Sequence, residues 1–248
     1  MLPPLIELLA CPSCHGGLTN APAGLSCTGC GRSYAMQDDV PNLLLGPPAE
    51  GESQDPTLAQ RALHSVVAVP FVYDLVQRLA GAQRIFERMR PILEQTDGAI
   101  VLDAGAGTGT VEALLPGSAR YVWLDPDPQK LSGFRRKSEA PAVLGDATRI
   151  PFKDGSVDWA ISIAVSHHLD DEELAGMLDE LRRVVRKRLF FLDAVVTPAY
   201  ASRLLWRYDR GRHPRSADSL RMQLATRFDI VSDEEFTVLH RYLLVTGS

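Results

Sequence analysis

The period of the hydrophobic pattern changes repeatedly along the chain, and each change marks an element. Ile100-Val-Leu-Asp-Ala104 is a short, nearly unbroken apolar run that passes into glycine-rich sequence, as a strand buried on both faces does. Comparable runs recur over residues 119–124, 142–146, 156–165 and 189–196. Between them the spacing becomes helical. Residues 127–137 follow the second run, and Leu174, Met177, Leu178 and Leu181 line one face of a helix predicted over residues 171–185. A shorter helix is expected over residues 111–115, ended by Pro116-Gly117. Alternation returns in residues 228–238 and 241–246, which predict an antiparallel hairpin closing the sheet. Upstream, helices are expected from Leu58 to Leu79, broken at Pro70, and over residues 83–93. An amphipathic stretch, residues 200–210, precedes a Ser216-capped helix to Thr226. Strands alternating with helices predict an α/β architecture with a mostly parallel sheet.

The first 46 residues do not follow this rhythm. They hold all four cysteines, as Cys11-Pro-Ser-Cys14 and Cys27-Thr-Gly-Cys30. Two such turns facing each other present four thiolates in the tetrahedral arrangement that suits a structural Zn²⁺. Two disulfides are the competing arrangement, disfavoured in a reducing compartment. His15, beside Cys14, is a further candidate ligand. Leu18, Leu25, Tyr34 and Val40-Pro-Asn-Leu-Leu-Leu45 supply short strands and a small apolar patch, too little to fold without a metal. Residues 47–57, rich in Pro, Gly and acids, read as a linker, so the expected division is a ribbon over 1–46 and a second unit over 58–248.

Composition narrows the partners. The 248 residues are 45% hydrophobic and 23% charged, with a net charge of -5. Residues 1–60 hold one base, Arg32, against six acids, and so carry the whole excess. Phosphate contacts leave a basic footprint, and none is visible, which argues against nucleic acid as a partner. The basic run Arg182, Arg183, Arg186, Lys187, Arg188 is expected as a solvated helix end, with the turn into the fifth strand over 185–188. No apolar run approaches the roughly 18–20 residues of a membrane span, and the opening ten residues lack a basic start, so a cytoplasmic location is expected.

The loop Asp103-Ala-Gly-Ala-Gly-Thr-Gly109 places an acid two residues before the first of three alternating glycines. A dinucleotide fingerprint sets its third glycine one position later. The pattern here resembles the first motif of the class I S-adenosylmethionine-dependent methyltransferases. Asp125 follows at the next strand tip, and Gly145-Asp146-Ala147 with Ile150-Pro-Phe152 at the third. A tip carboxylate in the place of Asp125 can accept from both ribose hydroxyls or cap the next helix, with Asp127 available for the second task. The resemblance implies a Rossmann-like, seven-stranded methyltransferase sheet with an antiparallel carboxyl-terminal hairpin. It implies that S-adenosylmethionine lies against Asp103, Ala104, Gly105, Gly107, Gly109, Asp125, Pro126, Asp146, Ala147 and Ala164, with Tyr73 over its methionine end.

Ser166-His167-His168-Leu169 at the fourth tip resembles the ubiquinone/menaquinone-methyltransferase branch and its small-molecule relatives. The Asn/Asp-Pro-Pro-aromatic segment of nitrogen-directed nucleic-acid enzymes is absent. His167 or His168 is therefore the expected general base, an imidazole being matched to neutral pH, with Asp193 as a further candidate. Arg203, Trp206, Arg207, Tyr208 and His213 are candidates for the acceptor, which is expected to be a small molecule, prenylated, lipid-like or a secondary metabolite. The amino-terminal unit resembles the zinc ribbon of methyltransferase-activating proteins, and that resemblance implies docking or dimerisation through the ribbon. The alternative is a ribosomal-RNA or tRNA methyltransferase whose ribbon docks RNA. A third arrangement is a non-enzymatic methyltransferase-fold partner that does not bind the cofactor.

Overall fold

In the computed structural model, residues 4–46, 82–199, 202, 206, 212–238 and 240–248 are described. The expectations for residues 47–57, for the helices of 58–79 and for Tyr73, Arg203, Arg207 and Tyr208 lie outside them. Among the described residues no helix is long and apolar enough to cross a membrane.

After the short helix α1 (Leu5–Leu8), four antiparallel strands form a small sheet in sequence order: β1 (Leu18–Ala21), β2 (Gly24–Cys27), β3 (Ser33–Gln37) and β4 (Val40–Pro41). The larger unit begins with helix α2 (Ala82–Leu93) and continues with β5 (Ile100–Ala104), β6 (Arg120–Asp125), helix α3 (Pro128–Arg135), β7 (Ala142–Leu144), β8 (Val157–Ile163), helix α4 (Asp171–Val184), β9 (Val185–Val195), helix α5 (Ala217–Ala225), β10 (Ile230–Thr237) and β11 (Arg241–Gly247). Its seven strands form one sheet in the order β10-β11-β9-β8-β5-β6-β7. The five from β9 to β7 run parallel, β11 runs antiparallel to β9, and β10 runs antiparallel to β11. This is the expected α/β methyltransferase sheet.

Local chemistry sets the element boundaries. Every residue of β5 is buried, which is why the run is continuously apolar except for Asp103. Asp170 caps α4 in a capping box with Glu173, Asp127 caps α3 by accepting from the Gln129 amide, and Ser216 caps α5. Two expectations change. Residues 111–115 were expected as a short helix, and the turn that forms, Thr110–Leu114, is 3₁₀. The basic stretch Val185-Arg-Lys-Arg188 is neither turn nor helix end: α4 stops at Val184 and the chain enters β9 directly. Arg186 and Lys187 reach Asp158 Oδ1 at 3.2 and 3.1 Å, while Asp158 Oδ2 accepts from the Ile100 amide at 2.9 Å. These two consecutive cations neutralise Asp158 at the start of β8, a role that charge density alone does not reveal.

The ribbon is not a separate bead. Leu8, Leu9, Leu18, Leu25 and Leu43 share one hydrophobic core with Val143, Ile150 and Phe152 of the larger unit. Main-chain bonds cross the junction: the Leu43 amide donates to Leu144 O at 2.8 Å, the Ala10 amide to Pro151 O at 3.0 Å and the Lys153 amide to Leu8 O at 2.8 Å. The segment after β4 thus lies along β7, the edge strand of the large sheet, through an Asn42–Leu144 parallel bridge. Covering that edge removes a row of unpaired amides that would otherwise invite association.

Candidate active site

Strand order reverses on either side of β5, whose neighbours β6 and β8 follow it by different crossovers. The carboxyl ends of β5 and β8 flank the crevice that ligands occupy in open α/β sheets. Asp103, fourth residue of β5, is 2% exposed and accepts from the Tyr121 hydroxyl at 2.7 Å through Oδ2. Burial pushes its carboxyl up to about 7; the Tyr121 hydrogen bond opposes this and nearby Asp125 adds to it. A buried carboxyl near neutrality, with Oδ2 engaged and Oδ1 still available, is a ready partner for an ammonium group.

The loop beyond it needs glycine for two separate reasons. Gly105, Gly107 and Gly109 all take left-handed φ, at +79°, +55° and +69°. A Cβ on Gly105 would drive into Val165 and one on Gly109 into the Phe134 ring, whereas Gly107 has nothing within 4 Å. Gly105 and Gly109 are packing positions, and Gly107 leaves the outer face of the loop open to a ligand. Replacing Gly109 by Ala is expected to cost about 2–4 kcal/mol, from left-handed strain and overpacking together. Calorimetry should show a midpoint roughly 5–15 °C lower. Gly107→Ala, strained but unobstructed, should cost only about 1 kcal/mol.

Asp125 is 2% exposed, and its carboxylate braces this loop: Oδ2 accepts from the Gly107 amide at 2.8 Å and Oδ1 from the Asp127 amide at 3.0 Å. Trp123 Nε1 donates to Gly107 O at 2.9 Å, so both main-chain polar groups of Gly107 are fixed from β6. Burial raises the Asp125 carboxyl, against Lys130 at 3.7 Å and the two amides. Asp146, at the β7 tip, is exposed and takes the Thr148 amide and hydroxyl on Oδ1, each at 2.8 Å. Ala104 and Ala147 are buried beside these acids and Pro126 is exposed. The three acids thus stand on consecutive strand tips, 103, 125 and 146.

Across the crevice, β8 ends in a reversal. Ala164 holds a left-handed φ of +56°, rare for a residue with a Cβ, and turns Val165 onto Gly105. The next three residues, Ser166–His168, form a 3₁₀ turn that folds back on Asp193 of β9. Asp193 is 1% exposed and accepts four bonds: Ser166 N at 2.7 Å and Ser166 Oγ at 2.6 Å on Oδ2, His167 Nδ1 at 2.6 Å and Ala194 N at 2.7 Å on Oδ1. A carboxylate only accepts, so the His167 ring carries its hydrogen on Nδ1, and Nε2 is the basic nitrogen of the neutral ring. His168 is exposed, with its ring 4.3 Å from that of His167. Trp206, 7% exposed, meets His167 edge-on at 5.6 Å. His213 reaches this place through its backbone, donating to His167 O at 3.0 Å.

Sequence reasoning missed Tyr121, Trp123, Ser166 and Arg215. Tyr121 and Trp123 alternate along a buried strand, and aromatic rings with polar tips in such a place need a partner, so a signal was present. Ser166 and Arg215 carry none, because their roles depend on segments far apart in sequence.

In the ribbon, the sulfurs of Cys11, Cys14, Cys27 and Cys30 lie within 4.8 Å of one another. Cys11 to Cys30 is 3.7 Å and Cys14 to Cys27 is 3.5 Å. A tetrahedron with Zn–S near 2.3 Å has edges of about 3.8 Å, so the donor set fits zinc. The Cys30 and Gly29 amides, in that order, lower the Cys27 thiol to about 6. The Tyr34 hydroxyl lies 2.9 Å from Cys11 Sγ, a typical outer support for a metal ligand. His15 is exposed and is not one of the clustered ligands.

Residues 102–192 match the family model described as "Methyltransferase domain". The chain is 37% identical over 119 residues to a demethylmenaquinone methyltransferase of Beutenbergia cavernae, covering 46% of this chain and 49% of that one. It is 34% identical over 128 residues to a tRNA (carboxymethyluridine(34)-5-O)-methyltransferase of Arabidopsis thaliana, covering 50% and 31%. It therefore spans less than half the length of each. Its fold is similar to that of geranyl diphosphate C-methyltransferase from Streptomyces coelicolor, with a TM-score of 0.56 at 13% identity over 66% of this chain and 75% of that one. Residues 102–192 thus match a methyltransferase domain, and the sheet that holds them has the α/β methyltransferase fold.

Proposed function

We propose that the chain transfers a methyl group from S-adenosylmethionine to a small-molecule acceptor, with His167 as the general base and zinc holding the ribbon. The observation that supports this most directly is the pairing of two half-sites at one sheet end: three tip acids around an open glycine loop, and an Asp193-oriented imidazole facing them from β8 and β9. Asp103 would hold the ammonium, Asp125 and the Gly107 loop the ribose, and Asp146 with the Ala147 segment the adenine. The cofactor supplies an electrophilic methyl. The protein must then position the acceptor in line and receive the proton it loses.

His167 Nε2 takes that proton. Asp193, with its accepting capacity used, orients the ring and stabilises its charged form, a more fitting task than the base role expected from sequence. Among the described residues the buried indole N–H of Trp206 has no partner, which makes it a donor for a polar atom of the acceptor. The demethylmenaquinone relative favours a small acceptor.

Calorimetric titration with S-adenosylhomocysteine tests the cofactor half. Methyl-tritiated cofactor offered to a panel of phenols, quinols and bulk tRNA tests the other. His167→Ala is expected to lower kcat about 10²–10⁴-fold with product affinity retained, and His168→Ala by less than about tenfold. Equal, small losses for both variants would remove His167 from the mechanism. The tRNA relative motivates the competing acceptor. The exposed ribbon surface carries Asp38 and Asp39, which disfavours phosphate. Tight tRNA binding that weakens steeply with salt would replace the small-molecule assignment.

A further inference from the structure

Arg215 lies outside every motif described above, yet it is 9% exposed, and a buried guanidinium must be matched by several partners. It has five N–H donors, and all five are used. Nε donates to Asp171 Oδ1 at 2.9 Å, and Nη1 to Ser166 O at 2.7 Å and His213 O at 3.2 Å. Nη2 donates to Leu169 O at 2.8 Å and again to Asp171 Oδ1 at 2.7 Å. Nothing is left over for a ligand. Its partners lie on the two ends of the 3₁₀ turn that carries His167, since Ser166 opens the turn and Leu169 closes it. At the same time the Arg215 carbonyl accepts from the Val196 amide at 2.9 Å, immediately past the end of β9, the strand that carries Asp193. One residue is therefore bonded by its side chain to the histidine's turn and by its main chain to the end of the aspartate's strand. The neighbouring His213 amide, donating to His167 O, adds a third tie from the same short segment.

We propose that Arg215 is the positioning residue of the His167–Asp193 pair, fixing the distance between the two through its simultaneous hold on residues 166–169 and on Val196. This rests on His167 being the base. The fork of the guanidinium is essential, because a lysine ammonium is a single point and cannot span Ser166 O, Leu169 O and Asp171 together. A mispositioned base costs turnover without touching the cofactor half of the site, which stands on β5, β6 and β7.

The test uses the full zinc-loaded chain with isotopically labelled histidine, the variants Arg215→Ala and Arg215→Lys, and S-adenosylhomocysteine as probe. In the parent, the His167 Nδ1 proton held by Asp193 is expected as a strongly downfield NMR signal that disappears in His167→Ala. Arg215→Ala should abolish or shift it, with S-adenosylhomocysteine affinity within about threefold of the parent, and Arg215→Lys should restore it only in part. With an accepted methyl acceptor, kcat should fall about 10–100-fold in Arg215→Ala while KM for the cofactor holds. An unchanged downfield signal in either folded variant overturns the proposal, as does full restoration by lysine. If Arg215→Ala does not fold, Arg215→Lys and Asp171→Ala, which removes the exposed end of the clamp, carry the same two outcomes. A shifted signal together with normal turnover in His167→Ala would leave Arg215 as the organiser of the pair and remove His167 as the base.

Discussion

Chelating the zinc proposed for Cys11, Cys14, Cys27 and Cys30 is expected to destabilise the whole chain, not the first 46 residues alone. Structural zinc contributes about 10–16 kcal/mol of apparent binding free energy in units as small as this ribbon. The ribbon has few other means of holding β1 to β4 together. Its loss exposes Leu8, Leu9, Leu43 and Phe152 at the shared core and breaks the main-chain bonds to Leu144, Pro151 and Lys153. Those three residues bracket Asp146 and Ala147, the segment proposed to hold the adenine. The thermal midpoint should therefore fall by at least roughly 10 °C as a single transition, if about 3–5 kcal/mol of interface is lost from a domain of this size. Product affinity should fall about tenfold or more. Metal analysis should return one zinc per chain, and Cys27→Ser should reproduce both losses. A second, separate transition for the ribbon, with the main midpoint and product affinity unmoved, would show that zinc serves the ribbon alone.

What the sequence disclosed and what it hid divide along one physical line. Signals carried by a single element were legible: the apolar runs of β5, β6, β7 and β8, the caps Asp127 and Ser216, the glycine loop, and the acids closing three successive tips. Each depends on residues a few positions apart. Features made by distant segments were not. Asp125 has the spacing of a ribose acid, but nothing in its neighbourhood foretells that it also braces the Gly107 amide across 18 positions. Val185-Arg-Lys-Arg188 looks like a helix end because its compensating acid, Asp158, lies on another strand. The shared core under the ribbon was hidden for the same reason, since Leu9 and Phe152 meet only after two units fold. Ser166 and Arg215 complete the His167–Asp193 arrangement from 27 and about 20 positions away from Asp193, distances at which sequence pattern carries no information.

Asp103→Asn is expected to stabilise the free protein at alkaline pH and to weaken the cofactor, two effects of opposite sign from one atom. The carboxyl lies at about 7 in the folded chain against an ordinary value of 3.8, chiefly through burial. Below about pH 4 it is protonated folded and unfolded alike, and the neutral group suits its buried place. As pH rises toward 7 the unfolded chain has already released the proton that the folded chain retains, so stability falls across that window. The loss levels off above 7 at about 4 kcal/mol, an upper figure for a group this buried. Asparagine has the same shape, still accepts from Tyr121 and does not titrate, so the variant should lose this slope. Its unfolding midpoint in urea at pH 8 should rise above that of the parent, and the two should converge near pH 4. Cofactor binding requires the opposite. The proposed ammonium partner needs the ionised carboxylate, and a charge-assisted bond of this kind is worth about 1.5–3 kcal/mol, or roughly 10–150-fold in affinity. For the parent, affinity should therefore increase as pH rises through 7. Near pH 6.5 binding should release about one proton, seen as a dependence of the calorimetric enthalpy on the buffer. Asp103→Asn should show weaker binding and no such release. A variant that bound as tightly as the parent would remove Asp103 from the cofactor site, and one less stable than the parent at pH 8 would contradict the burial argument. Only a carboxylate kept destabilised until an ammonium arrives gives both signs together.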